Sequence, residues 1–176
     1  MKRYLMMVIL IFSMLALVAC NGNGDTSNMS ETQQQESRDA PDYITIRGEQ
    51  FSTILTELDL SGMGLTDEDI APLRYMTNLH TLNLGETQFG RNQISNISSL
   101  AGLTNLERLI LRDNLIFDIT PLAGLTNLTW LDLQSNQISD ITPLAGLTNL
   151  HTLSLDFNQI NDWSSVEHIE NVGGRP

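Results

Sequence analysis

From Leu106 onward the hydrophobic positions keep a period that is neither helical nor a simple alternation. One unit reads Leu106-x-x-Leu109-x-Leu111-x-x-Asn114-x-Ile116-x-x-Ile119-x-Pro121-Leu122-x-x-Leu125-x-x, and the next two begin 22 residues apart at Leu128 and Leu150, with asparagines at Asn136 and Asn158. The stretch ITPLAGLTNL is written letter for letter at 119–128 and 141–150, and SSLAGLTNL at 98–106 is a variant of it. Upstream, the unit beginning at Leu79 carries five extra residues, which moves its asparagine to Asn92, and the unit beginning at Leu55 runs 24 residues with Met63 in the asparagine position. Leu109 and Leu111 are two apart, so on a strand they share one face, and that face points inward. Leu122 and Leu125 line the return segment. One such unit cannot cover its own side chains, so successive units must stack and bury a continuous core. The asparagine amide has two donors and an acceptor, enough to bond the backbone of the turns above and below it.

This spacing resembles that of leucine-rich repeats, whose strand pattern is L-x-x-L-x-L-x-x-N-x-L. With 22-residue units carrying DITPLAGLTNL, residues 42–176 are similar to the internalin-type branch of bacterial leucine-rich repeat proteins. The resemblance implies an α/β-type repeat solenoid: a short curved array, here of five units, with a parallel β-sheet on the concave face and 3₁₀ or irregular turns on the convex face. It also implies protein binding through the concave sheet, without catalysis. Covers for the two open edges are expected at a short strand, Ile44-Thr45-Ile46, with Phe51 packing over the core, and at Trp163, in register with Ile119 and Ile141. Val166, Ile169 and Val172 replace the leucines that would follow, and the array is expected to end at GGRP, where a sixth unit would begin.

Asn96, Asp118, Asp140 and Asp162 form a column at the same spacing. A calcium-binding ladder is conceivable there; the simpler reading has each side chain capping the first amides of a short helical turn. Catalytic chemistry finds no support. His80 and His151 occupy one repeat position three units apart, about 14 Å at ~4.8 Å per strand, too far to share a metal or a proton. His168 falls in the terminal cap. The glycines of NGNG precede the repeats, and Gly62 and Gly64 follow a repeat strand, so no phosphate-cradling loop is formed. No enzyme activity, cofactor or metal is expected.

The positions left free by the repeat flank the two strand leucines and point onto the concave face. Down the array they read Glu57, Thr81, Arg108, Trp130, Thr152, then Asp59, Asn83, Ile110, Asp132, Ser154, then Ser61, Gly85, Arg112, Gln134, Asp156. Trp130, Ile110, Arg108 and Arg112 are thus expected to cluster on adjacent strands, with Asp132 and Gln134 beside them, as a protein-binding surface. Aromatic residues and arginine are the usual anchors of such surfaces. The alternative is a Trp130 that simply lies flat on a neighbour. Five strands at ~4.8 Å, with about four residues each at ~3.3 Å, make a plate of roughly 300 Å², against the ~800 Å² per partner of a stable interface. The insertion Thr87-Gln88-Phe89-Gly90-Arg91 and Phe157 are expected along one rim, where Phe89 and Phe157 could enlarge the face.

The amino terminus carries a separate message. Lys2 and Arg3 precede an apolar run from Tyr4 to Ala16, too short for the ~20 residues of a spanning helix and suited to a signal peptide. The run ends in Leu17-Val18-Ala19-Cys20, which resembles a bacterial lipobox and holds the chain's only cysteine. The expected organisation is a cleaved signal at 1–19, a lipidated Cys20 with a polar tether over 20–41, and the repeat domain at 42–176. The bland alternative is a signal peptide that ends near a buried cysteine. Two acyl chains on Cys20 would anchor stably, placing the chain on the extracytoplasmic face of the cell membrane. Cleavage removes Lys2 and Arg3 and leaves 7 basic residues against 21 acidic ones, a net charge of −14, with no lysine. Nucleic acid and anionic headgroups would be repelled. The expected partner is a protein or peptide; a structural or self-association role in the envelope, and glycan binding with Trp130 as a stacking platform, stand as alternatives.

Overall fold

The structure is a computed structural model, and it describes residues 40–175. Cys20, the expected signal segment 1–19 and all but the last two residues of the tether expected over 20–41 lie outside the described residues.

The described chain opens with an antiparallel hairpin, β1 (Tyr43–Ile46) and β2 (Glu49–Ser52). Its two-residue turn, Arg47-Gly48, has positive φ at both positions (49° and 85°), the geometry that matches the twist of paired strands. Ile44 and Ile46 are buried and Phe51 packs against the core, as expected of the amino-terminal cover, but the second strand of the hairpin was not foreseen. The Arg47 guanidinium ties the hairpin tip to the first coil through Asp69 (3.0 and 3.2 Å) and the Gly64 carbonyl (2.7 Å).

Among the described residues, six three-residue strands then build one parallel sheet in chain order. They are β3 (Glu57–Asp59), β4 (Thr81–Asn83), β5 (Arg108–Ile110), β6 (Trp130–Asp132), β7 (Thr152–Ser154) and β8 (Asn171–Gly173). The register is unbroken: Leu58, Leu82, Leu109, Leu131, Leu153 and Val172 are successive partners. With Leu84, Leu111, Leu133 and Leu155 and the return-side leucines they form one continuous core. Burying each such side chain is worth about 1.5–3 kcal/mol, available only because a neighbouring coil lies on each side.

The sheet has one strand more than the five expected of five units. Asn171 to Gly173 pairs with β7 although its residues depart from the leucine pattern, because the β7 edge offers its backbone to any extended segment. Gly174 follows this strand at φ 89°, and a Cβ there would sit 2.6 Å from the Asp156 amide nitrogen. At the other end Leu55 is exposed, with no earlier coil beneath it among the described residues. The return segment of the first coil is also more regular than expected: a single α-helical turn, α1 (Asp67–Ile70), runs into a 3₁₀ segment, Ala71–Tyr75. Later coils return through 3₁₀ turns at Ser98–Leu100, Thr120–Leu122, Thr142–Leu144 and Ser164–Val166.

Polar columns hold the coils in register. The Asn136 Oδ1 accepts the Ile116 amide (3.0 Å), and its Nδ2 donates to the carbonyls of Leu111 (3.0 Å) and Leu133 (3.1 Å). Asn114 and Asn158 do the same one coil earlier and one later. Each asparagine therefore grips the coil before it and its own, so Met63 suits the first coil, which has no predecessor to grip among the described residues. Asn96, Asp118, Asp140 and Asp162 each accept the amide two residues on, at 2.8–2.9 Å, which is the capping role. Bonds from Thr120, Thr142 and Ser164 hold the three carboxyls below the ordinary value, working against the mutual repulsion that Asp140 feels from Asp118 and Asp162.

Candidate functional site

The sheet face outside the core is built from the residues that alternate with the inward leucines. Arg108 and Trp130 are direct partners across β5 and β6. The Arg108 guanidinium lies 3.8 Å from the centre of the Trp130 ring, a cation–π contact worth about 0.5–1 kcal/mol where exposed. Trp130 is half-buried beneath it while Arg108 stays exposed. The tryptophan does lie against a neighbour, and the neighbour is the charged residue expected in the same cluster.

Ile110 and Arg112 lean the other way, toward the preceding coil, and Gly85 makes their position possible. A Cβ at Gly85 would fall 2.9 Å from the Arg112 Cγ and 3.0 Å from the Ile110 Cγ2. In the sequence Gly85 is one member of an outward column; that its missing side chain seats two others depends on side-chain direction. Ile110 also forms a wall of a shallow depression of about 450 Å³ over β3 to β5, with Glu57, Asp59, Thr81 and Asn83 around it.

Asp132 corrects the expectation of an open binding carboxylate. It lies in the outward column but is only 7% exposed, and its Oδ1 accepts the Gln134 amide at 3.1 Å. Asn83 and Asp59 make the same bond to Gly85 and Ser61, so this column shapes the strand exits. Burial pushes the Asp132 carboxyl up; the Gln134 amide and Arg112 pull against it, and Asp113 and Asp156 reinforce it. Gln134 is half-buried beside it, and Arg112 is exposed and bonds Asp113 at 3.2 Å. The face is thus zoned: Glu57 and Asp59 at one end, the Arg108 and Arg112 stripe in the middle, and Asp156 beyond.

On the rim, Phe157 is 78% exposed at φ 58°. Asp113 and Ser135, its counterparts, share the left-handed backbone, and Gly62 has φ 65° in the first coil. Small or polar residues bear that conformation easily; a bulky one is an outlier there. Phe89 is 87% exposed at the tip of the insertion. That loop closes on itself through Thr87 and Gly90 (2.8 and 3.2 Å) and folds back on the first coil, where a Cβ on Gly90 would lie 2.6 Å from the Gly62 carbonyl oxygen. It therefore extends the rim beside β3 and β4, whereas Phe157 follows β7, so the two phenylalanines belong to different stretches of it. His80 and His151 turn their Nδ1 to the carbonyls of Asn78 and Asn149, as tethers of the backbone.

A family model described as Leucine Rich repeats (2 copies) matches residues 126–168. Among solved structures, an internalin C2 from Listeria monocytogenes strain 4b F2365 is 43% identical, with a TM-score of 0.62 over 68% of this chain and 51% of that one. An internalin, inlF, from the same strain is 26% identical, with a TM-score of 0.41 over 71% of this chain and 49% of that one. The chain spans about half the length of both. Comparison with curated proteins finds no match. The described residues form a leucine-rich repeat solenoid, similar in sequence and structure to a listerial internalin.

Proposed function

We propose that this chain is a lipid-anchored surface protein whose repeat domain binds a protein or peptide through its sheet face. The observation that carries the reading is the Arg108–Trp130 stack at the centre of that face, beside the depression walled by Ile110. None of the repeat's packing or backbone rules calls for an arginine or a tryptophan at these positions. A stacked Arg–Trp pair presents a large, partly ordered amphipathic surface, which lowers the entropy lost on binding. The acidic, basic and acidic zones favour a partner with the inverse sequence of charge. Protein is favoured over glycan because the guanidinium already covers one face of the indole, the face a sugar ring would stack on. Phe157 supports a contribution from the rim, since an exposed aromatic held in a left-handed conformation has a cost and no packing return.

The anchor rests on Leu17-Val18-Ala19-Cys20 behind its apolar run. Cys20→Ser should abolish metabolic labelling with a fatty acid; equal labelling of the variant overturns the anchor. For binding, capture from a native envelope extract should fall at least tenfold for Trp130→Ala, and Gly85→Ala should weaken it by displacing Ile110 and Arg112. Unchanged capture by both, with their folding intact, would favour an envelope spacer.

A further inference from the structure

The segment Asn114-Leu115-Ile116-Phe117-Asp118 alternates buried and exposed as far as Phe117, with Leu115 and Phe117 outward. Leu115 is 46% and Phe117 64% exposed. Their counterparts in the neighbouring coils are Gln93 and Ser95, Gln137 and Ser139, and Gln159 and Asn161. The backbone does not require the difference. The Leu115 amide bonds the Ile94 carbonyl at 2.9 Å, as the amides of Gln93, Gln137 and Gln159 bond the preceding coil at 2.7–2.8 Å. Two adjacent outward positions have thus become apolar in one coil of an otherwise polar column, away from the sheet face.

Phe117 and Pro121 form one wall of a depression of about 470 Å³, floored by Ile97, with the Asp67 and Asp118 carboxylates on its edge. Burial works against the charged form of Asp67, but the Asn96 amide and the Ser95 hydroxyl and amide together outweigh it and hold its carboxyl below the ordinary value. Those bonds are 3.0, 2.7 and 2.7 Å long. Asp118 is held low as well, by Thr120. Among the described residues neither carboxylate has an ion-pair partner.

We propose that Leu115, Phe117 and the depression beside them form a second docking surface, which takes an extended segment of a partner protein carrying apolar side chains flanked by arginine or lysine. Apolar contact and charge act together here. Leu115 and Phe117 offer two contact points two residues apart, and the fixed negative edge selects a basic flank. A second copy of this chain is a poor occupant, because it would bring the same carboxylates and a net charge of −12 against them. An anionic membrane is disfavoured for the same reason.

The test uses the full chain and a synthetic peptide with Leu-Gly-Phe between paired arginines, its phenylalanine replaced by benzoylphenylalanine for photo-crosslinking. A matched peptide carries glutamates in place of the arginines. The variant Leu115→Gln/Phe117→Ser installs residues that neighbouring coils already bear, so it should melt like wild type. We expect the basic peptide to crosslink at residues 115–121, the double variant to bind it at least tenfold more weakly, and the glutamate peptide not to bind. Equal binding by the double variant, or crosslinks on the sheet face, would mean general attraction to an acidic protein and overturn the proposal. So would co-sedimentation of the chain itself with anionic vesicles that the double variant loses, or dimerisation of the chain lost in the double variant.

Discussion

Asn136→Ala tests the idea that a polar column, as much as the leucines, holds the coils together. In the native fold the Ile116 amide has the Asn136 Oδ1 as its acceptor at 3.0 Å, in a buried position. Truncation leaves that amide without a partner and without water. The carbonyls fare better. Leu111 keeps the Asn114 amide (3.1 Å) and Leu133 keeps the Asn158 amide (2.9 Å), because each carbonyl accepts from two successive asparagines. A third, longer bond to the Gln134 carbonyl (3.2 Å) is lost too, and that carbonyl keeps the Asp113 amide (2.9 Å). The loss is therefore one orphaned buried donor, about 1–3 kcal/mol, plus side-chain bonds of about 0.5–1.5 kcal/mol for each of the two amide hydrogens, whose acceptors stay satisfied. Overlap between these terms makes about 2–4 kcal/mol a fair total. At roughly 3–4 °C per kcal/mol for a domain of this size, the melting temperature should fall by roughly 6–16 °C. Urea and thermal melts followed by circular dichroism would measure it. The control is Asn149→Ala, an exposed asparagine whose Nδ2 bonds only the Thr126 carbonyl (2.9 Å), which water can replace at a cost of about 1 kcal/mol or less. Equal melting of the two variants would refute the argument that the buried amide column carries the register.

Asp132→Asn should stabilise the fold at pH 7 and have little effect near pH 3. Burial raises the native Asp132 carboxyl, so the native state holds more protons than the unfolded chain above the ordinary value near 3.8, and stability falls as pH rises through that window. Asparagine avoids this and keeps the acceptor, as Asn83 does in the same column; urea melts at the two pH values decide it. The opposite sign holds for Asp118, Asp140 and Asp162, whose lowered native values add stability that is present above about pH 4 and lost as pH falls, so Asp140→Ala should flatten the acid limb of the stability curve. Phe157→Gly should gain up to about 1 kcal/mol by relieving a left-handed backbone, while weakening partner capture if the rim contributes. Leu131→Ala should cost about 2–5 kcal/mol, and Trp163→Ala, half-buried over the last coil, about 2 kcal/mol; a Trp163 variant that melts like wild type means the carboxyl-terminal cover lies elsewhere.

The sequence alone was enough for the repeat frame, because its rules are local and written several times over. Leu109 and Leu131 must face inward in any stack of such units, Asn114 and Asn136 must meet backbone, and Asp118 and Asp140 sit where a 3₁₀ turn needs a cap. Periodicity also assigns Arg108 and Trp130 to adjacent strands, and the packed sheet sets the guanidinium over the ring. What tertiary structure decided is everything that departs from the period or depends on what lies one coil away. The hairpin turn at Arg47-Gly48 lacks the Asn-Gly signature that would have announced it. The sixth strand at Asn171–Gly173 is recruited by the open edge of β7 and owes little to its own residues. Asp132 is covered by neighbours that pattern alone would leave beside it, and Gly85 matters for the atoms it lacks. Leu115 and Phe117 fall at unassigned positions of the unit, and only the packed coils show that both remain outside the core. Period reports which face a side chain leaves from; only the packed neighbours determine whether anything covers it.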